Sequence, residues 1–312
     1  MTQEVVIITG ANSGIGKSAA LKFATEGYTV IMACRNMEKS KIVREEIIKE
    51  SKNNEVYLKK VDLSSFKSIN LFCDNYKNEF NKLDILIHNA AYFNHGEKYR
   101  LSPDNIELTF ATNVFGPYLM TKLLIDHLKK SKDPRILNAS SNIIKHFFSP
   151  KKKIKFNNLK GGEVDKGSHS VYKSYCDSKM ALTILTFKMA KELKNDGIKV
   201  NALQINGAKM SKETIKNFKS LWRLIALVQN IFFPPPEVMA KHYFDICTSK
   251  RFKNTTGKLI NHKQKIMKSA EDNPGIITSF KQLISSDIYP KYTEQKDVVN
   301  KIWQLCNELT NI

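Results

Sequence analysis

A short apolar strand running straight into a glycine-spaced turn constrains this chain more than any other stretch. Val5-Val6-Ile7-Ile8-Thr9 has the character of a buried strand, and Gly10-Ala11-Asn12-Ser13-Gly14-Ile15-Gly16 follows at once. A helical pattern then begins, with Ala19, Ala20, Phe23 and Ala24 on one face. Gly10 permits a tight turn, Gly14 lets the backbone approach a pyrophosphate, and Gly16 lets the helix sit against the strand. The helix N-terminus adds unpaired N–H groups and a positive dipole end. A plain strand-turn-helix also uses glycine, so the turn by itself leaves both readings open.

The rest of the chain narrows the choice. Strand and helix patterns alternate: strands at Thr29–Cys34, Val56–Val61, Leu83–His88, Arg135–Ala139 and Ile198–Ile205, and a short one at Leu259-Ile260. Between them lie helical stretches at Met37–Glu50, Phe66–Phe80, Pro103 to about Lys130, and Val171–Asn195, with a last one at Glu294–Leu309. Ser64 or Ser65 is the expected cap of the Phe66 helix. Alternation of this kind predicts a doubly wound parallel α/β sheet of about seven strands with helices on both faces. No repeat or linker divides residues 1–312, so one domain is expected, with residues 208–256 as a helical substrate lobe within it.

In dinucleotide-binding folds, an acid at the end of the second strand meets the ribose 2′-hydroxyl of NAD, whereas arginine meets the 2′-phosphate of NADP. Here the strand ends Ala33-Cys34-Arg35-Asn36. Cys34 takes the acid's slot and Arg35 follows, so NADP(H) is the expected cofactor. Lys17 could add positive charge, and Glu38 nearby weighs the other way. Asp62 is a candidate for the adenine, or else an N-terminal charge for the next helix. Asn89 would shape the cofactor wall, or else is a turn residue.

Hydride transfer to a carbonyl needs a proton donor. A tyrosine can serve if a cation lies close, because a free phenol has a pKa of about 10. A lysine four residues on lies one helical turn along the same face. With 11 tyrosines and 44 lysines in 312 residues, chance alone supplies one or two Tyr-x-x-x-Lys pairs. Three occur: Tyr118/Lys122, Tyr175/Lys179 and Tyr292/Lys296. Context selects Tyr175 and Lys179, on the helix after the strand that ends Ser140-Ser141, at the carboxyl edge where open sheets bind ligands. Ser141 would orient the substrate oxygen, with Ser140 as the alternative should the register slip by one. Asn113 would support a water and lysine relay, or simply bend its helix.

Together these residues resemble the short-chain dehydrogenase/reductase family. The likeness rests on Thr9-Gly10-Ala11-Asn12-Ser13-Gly14-Ile15-Gly16, Asn89-Ala90, Asn113, Ser141 and Tyr175/Lys179, in family order. A narrower likeness is to the retinol-dehydrogenase-like branch, which includes the WW-domain oxidoreductases. Its marks are Ala33-Cys34-Arg35-Asn36, Ile154-Lys155-Phe156-Asn157-Asn158-Leu159, Tyr175-Cys176-Asp177-Ser178-Lys179, Leu221-Trp222-Arg223-Leu224, Pro236-Glu237 and Thr256-Gly257-Lys258. The resemblance implies a Rossmann fold, NADPH, and oxidation or reduction of an apolar alcohol or carbonyl. It implies cofactor contacts from Gly10, Asn12, Ser13, Gly14, Ile15, Gly16, Arg35, Asp62, Leu63, Asn89, Tyr175 and Lys179. Two positions depart from the family pattern: His88-Asn89-Ala90-Ala91 stands for Asn-Asn-Ala-Gly, and Asn206-Gly207 for Pro-Gly. They motivate a rival reading, a cofactor-binding regulatory protein with weak catalysis.

Composition excludes other classes. The net charge of +20 invites a nucleic-acid reading. Only 6 of the 50 basic residues are arginine, and the lysines scatter along the whole chain. That describes a solvated surface, and no nucleic-acid partner is expected. Five cysteines without a Cys-x-x-Cys pair point to free thiols in a reducing compartment, and the histidines show no metal-ligand spacing. The first strand begins near residue 5, leaving no room for a signal peptide, so a cytoplasmic location is expected. Leu221–Phe233 is too short to span a bilayer and carries Arg223. A lid over an apolar pocket, with peripheral membrane contact on its outer face, is the expectation there, against an ordinary core helix. A homodimer is a further option.

Overall fold

The computed structural model describes residues 3–93, 98–157, 159, 170–210, 215–216, 220–272 and 274–312. Seven parallel strands form the main sheet: β1 (Val5–Thr9), β2 (Thr29–Cys34), β3 (Val56–Lys60), β4 (Ile85–His88), β5 (Arg135–Ser141), β6 (Lys199–Ile205) and β7 (Leu259–Ile260). Their order is β3-β2-β1-β4-β5-β6-β7. β1, β2 and β4 are buried along their whole length, which is why they are continuous Val/Ile-rich runs rather than alternating ones. The winding reverses between β1 and β4. Ligands of open sheets bind at such a switch point, beyond the carboxyl ends of the strands.

Helices cover both faces. On one, α1 (Gly14–Thr25), α2 (Met37–Ser51) and α7 (Pro236–Thr248) bury Ala20, Phe23, Val43, Ile47 and Tyr243 against the sheet. On the other, α3 (Phe66–Glu79), α4 (Gly116–Lys129), α5 (Val171–Glu192) and α9 (Lys296–Thr310) enclose the larger core around Phe72, Tyr118, Met180 and Ile302. Ser65 is the cap of α3, accepting from the Ser68 N–H. α6 (Ser220–Phe232) and α8 (Ile276–Ile284) lie in the C-terminal third.

Four boundaries differ from expectation. The stretch from Pro103 is a turn, not a helix. Asn105 takes a left-handed φ of 57°, and the helical path starts only at Leu108, capped by Glu107. From there to α4 the chain passes through a π-helical stretch, Ala111–Phe115. β5 runs on through both serines to Ser141, and a 3-10 helix (Asn142–Phe148) comes directly after it, although the Lys-, Asn- and Gly-rich stretch from there to about Ser168 reads in the sequence as a polar loop. Pro234-Pro235-Pro236 reads in the sequence as a local break, a corner within the lobe; Pro236 instead opens α7, in keeping with proline's place in a first helical turn.

Candidate functional site

The glycine turn is held from three sides. Gly10 has a φ of 66° and Gly14 of 51°, conformations glycine tolerates. A Cβ at Gly16 would stand 2.3 Å from the Gly10 carbonyl oxygen, so helix and turn meet only because that atom is missing. Nothing lies within 4 Å of a Cβ position at Gly14, leaving the backbone open on the side a phosphate would approach. Ser13 caps α1 in an extended conformation, yet its side chain makes no capping bond, and the first turn carries no acid. Spare N–H groups, a spare hydroxyl and the positive helix end therefore face one opening.

That opening is a cleft of about 600 Å³. Gly10, Asn12, Ser13, Ile15 and Gly16 line it from the turn, and Arg35, Asp62, Leu63 and Asn89 from the ends of neighbouring strands. Arg35 is exposed and makes no hydrogen bond or ion pair among the described residues. Burial pushes the Cys34 thiol up, so the slot where an acid would sit in an NAD enzyme carries no charge. Lys17 does not serve the cleft, because its ammonium is paired with Glu46 at 2.5 Å. Asn12 donates to Ser40 at 2.9 Å. One carboxylate oxygen of Asp62 accepts from the Ser64 N–H and hydroxyl at 2.9 and 2.7 Å, shaping the turn into α3. The Leu63 carbonyl oxygen packs closely on Gly116, where a Cβ would stand 2.2 Å from it. The residues present thus fit a dinucleotide.

Asn89 braces the turn from behind. Its amide donates to the Thr9 and Gly10 carbonyls at 2.9 and 3.4 Å. The Thr9 hydroxyl in turn accepts the N–H groups of Asn89 and Ala90, both at 3.0 Å. Tyr243, fully buried on α7, donates to the Asn89 side-chain oxygen at 3.1 Å. The sequence carries no signal for Tyr243: it is one aromatic among many, 154 residues from its partner.

On β5, which pairs with the strand leading into Asn89, strand alternation separates the two serines. Ser140 is buried and pairs with Thr183 at 2.8 Å, beneath the sheet. Ser141 is only partly buried and its hydroxyl accepts the Ile143 N–H at 3.3 Å. Burial pushes the Tyr175 phenol up to about 12, and a hydrogen bond from Ser141 pulls the other way. Lys179 stands 5.7 Å from the Tyr175 ring centre, donates to the Ala139 carbonyl at 2.7 Å, and is brought down to about 8 by burial. Ser141 is thus the group whose hydrogen bond eases the phenol, with the Lys179 ammonium close by.

Asn113 sits in the π-helical stretch and clamps its surroundings. Its side-chain oxygen accepts the Tyr92 N–H at 2.7 Å, and its amide donates to the Tyr92 carbonyl and the Ser178 hydroxyl, both at 3.1 Å. Ser178 donates to the Tyr175 carbonyl at 2.9 Å. Asn113 thus reaches the Tyr175 helix through Ser178, and its side chain is spent on that clamp rather than on Lys179. Phe93 covers the Tyr175 ring at 4.5 Å between centres.

The competing tyrosines are tied elsewhere. Tyr118 donates to Asn307 at 2.5 Å, and Tyr292 accepts the Ile154 N–H at 3.0 Å. His88, in place of the family's asparagine, is buried against Thr121 and brought down to about 3. Asn206 contacts His262 at 2.8 Å, and Phe233 packs where a Gly207 side chain would stand. Ala91 lines the cleft. Asn158 and the Trp222 side chain lie outside the described residues. Among the described residues no group of His, Cys, Asp and Glu could hold a metal, and no helix is long and apolar enough to cross a membrane.

Residues 4–148 match the family model of short chain dehydrogenases. The chain is 32% identical over 260 residues to retinol dehydrogenase 13 of Mus musculus, covering 82% of this chain and 74% of that one. It is 36% identical over 225 residues to retinol dehydrogenase 12 of Bos taurus, covering 72% and 67%. Its fold is similar to a short chain dehydrogenase from Shigella flexneri complexed with NADP, with a TM-score of 0.64 at 19% identity, covering 83% and 97%.

Proposed function

The chain belongs to the short-chain dehydrogenase family, in its retinol-dehydrogenase-like branch, and on that footing we propose that it interconverts an apolar alcohol and its aldehyde or ketone with NADP(H). Bound NADP(H) supplies or accepts the hydride. The glycine turn and the α1 N-terminus bind pyrophosphate, and Arg35 binds the 2′-phosphate that distinguishes NADP from NAD. The neutral Cys34 removes the repulsion an acid would exert there. Asp62, Leu63 and Asn89 form the wall of the adenosine and ribose site.

Tyr175 is the acid/base and Ser141 orients the substrate oxygen. A phenol near 12 keeps its proton at neutral pH, which suits donation to a carbonyl rather than abstraction from an alcohol. Lys179 holds the ribose and contributes its charge below about pH 8. Asn113 is a positioning residue that fixes the Tyr175 turn through Ser178. The observation that carries the reading is the convergence of Ser141, Tyr175 and Lys179 at the carboxyl end of β5, one strand from the glycine turn's own brace. The test is NADPH oxidation with a panel of apolar aldehydes and ketones. Turnover that vanishes in Tyr175→Phe while NADPH still binds supports it. Binding of NADPH without turnover of any carbonyl would favour a regulatory role.

α6 and the start of α7 at Pro236 are proposed as part of a lid over the substrate, within one domain spanning residues 1–312. Ala226 faces inward while Leu224, Leu227, Val228, Ile231 and Phe232 are exposed. An exposed apolar stripe of this kind also suits peripheral contact with a membrane surface.

A further inference from the structure

A second cleft of about 530 Å³ opens beside the proposed reaction centre. The 3-10 helix that begins directly after Ser141 forms one wall, with Asn142, Lys145, His146 and Phe148, and α8 forms the other, with Phe280 and Leu283. A chain of aromatic contacts leads back to the reaction centre. His146 shares a hydrogen bond with the Tyr172 hydroxyl at 2.9 Å, Tyr172 stands 6.5 Å from Phe93, and Phe93 covers Tyr175.

The two walls differ in character. Phe148, Phe280 and Leu283 offer apolar surface. Phe280 is 64% and Leu283 47% exposed, so the protein itself leaves them largely uncovered. Lys145 is partly buried and has no carboxylate partner among the described residues; its ammonium donates only to the Leu283 carbonyl, at 3.3 Å. Burial draws Lys145 below the usual lysine range. The neighbouring ring of His262 is lowered by burial first, then further by Lys263 and Lys145, with Asp287 opposing weakly. Two cations against one more weakly felt carboxylate leave the local field positive, at the end of an apolar trough.

We propose that this cleft receives the acidic end of the substrate: a medium-chain oxo-carboxylate whose carboxylate pairs with Lys145 and whose methylenes lie on Phe148, Phe280 and Leu283. The assignment deepens the carbonyl-oxidoreductase reading and rests on it. Lys145 lies four positions beyond Ser141 along the 3-10 helix, about 8 Å of rise. That spacing puts the acid beyond the reach of a short keto acid and within that of a flexible medium chain.

The test is calorimetric titration of the full chain with azelaic semialdehyde and with its methyl ester, which keeps the length and removes the charge. The acid should bind at least about tenfold more tightly than the ester. Lys145→Met should erase that difference and Lys145→Arg should keep it. Equal binding of acid and ester, no binding of the acid, or a preference that survives Lys145→Met would overturn the assignment. An NADPH-consumption assay with the same pair separates the two proposals. Acid bound but neither compound reduced would overturn the oxidoreductase reading and leave the carboxylate site standing.

Discussion

The glycine turn after β1 and the helix α6 after β6 lie past carboxyl ends of the same sheet and obey opposite rules. At the turn, side chains are excluded: a single added Cβ at Gly16 would collide with the Gly10 carbonyl oxygen and the Asn89 amide. Along α6 large side chains are displayed, with Ile231 74% and Phe232 81% exposed. On the proposed function, the turn would bind what is common to every reaction cycle, and its geometry is closed to variation. The lobe would meet what differs from one substrate to another, and its apolar atoms gain only when something covers them. Damage at the turn should therefore weaken all substrates alike, and damage in the lobe should change which substrate is preferred.

The largest effect is expected at the proposed junction of cofactor and substrate. Tyr175→Phe should lower turnover by about 10²–10⁴-fold for every carbonyl, leaving NADPH binding intact, whereas Tyr118→Phe and Tyr292→Phe should stay active. Steady-state rates and NADPH fluorescence titration read both parts, and a normally active Tyr175→Phe would misplace the site. Gly16→Ala comes next. Overpacking against backbone should cost about 1–3 kcal/mol of stability and abolish the stabilisation that NADPH confers, as read by thermal denaturation with and without cofactor. An unchanged melting temperature would show that the turn is looser than its contacts imply.

Arg35→Ala separates cofactors rather than substrates. NADPH should bind about tenfold or more weakly while NADH is unaffected; equal affinity of the native chain for both would end the NADP assignment. A pH profile tests the junction again. Reduction should fall as pH rises through about 8, where Lys179 loses its proton, because Tyr175 keeps its own to about 12. Oxidation, which needs the phenol's proton gone, should rise over the same range. A reduction rate that stays flat from pH 7 to about 9 would remove Lys179's charge from the mechanism. The smallest effect belongs to the lobe. Ile231→Ser and Phe232→Ser should change stability by less than about 0.5 kcal/mol, since both side chains are already in water. They should flatten the rise of catalytic efficiency with aldehyde chain length; a slope equal to the native one would detach α6 from the substrate.

Most of the frame was legible in the residues because it rests on local regularity. Period-two and continuous apolar runs mark strands, 3.6-residue spacing marks helices, and glycine marks the backbone turn that other residues resist. The strands at Thr29–Cys34 and Leu259-Ile260 lie where those patterns put them. The Pro103 stretch was not legible, since its helical spacing competes with a left-handed Asn105 that only the fold reveals. Nor were the 3-10 helix after Ser141 or α8, both short segments whose pattern fits a loop as well.

Residue order alone sets the parallel sheet, the glycine turn and the set of residue types able to do the chemistry. Which of them meet is settled by the folded chain. Ser141 rather than Ser140 stands beside Tyr175, because alternation along β5 turns one hydroxyl to Thr183 and leaves its neighbour free to meet the phenol. Tyr118 and Tyr292 are withdrawn by partners on α9 and in the segment around Ile154. Tyr243 reaches Asn89 across 154 residues, a contact with no local trace. Local conformation is dictated by the nearest few residues, whereas the facing of a side chain at a strand's end depends on register and on what packs above it, and these are set only when distant segments come together.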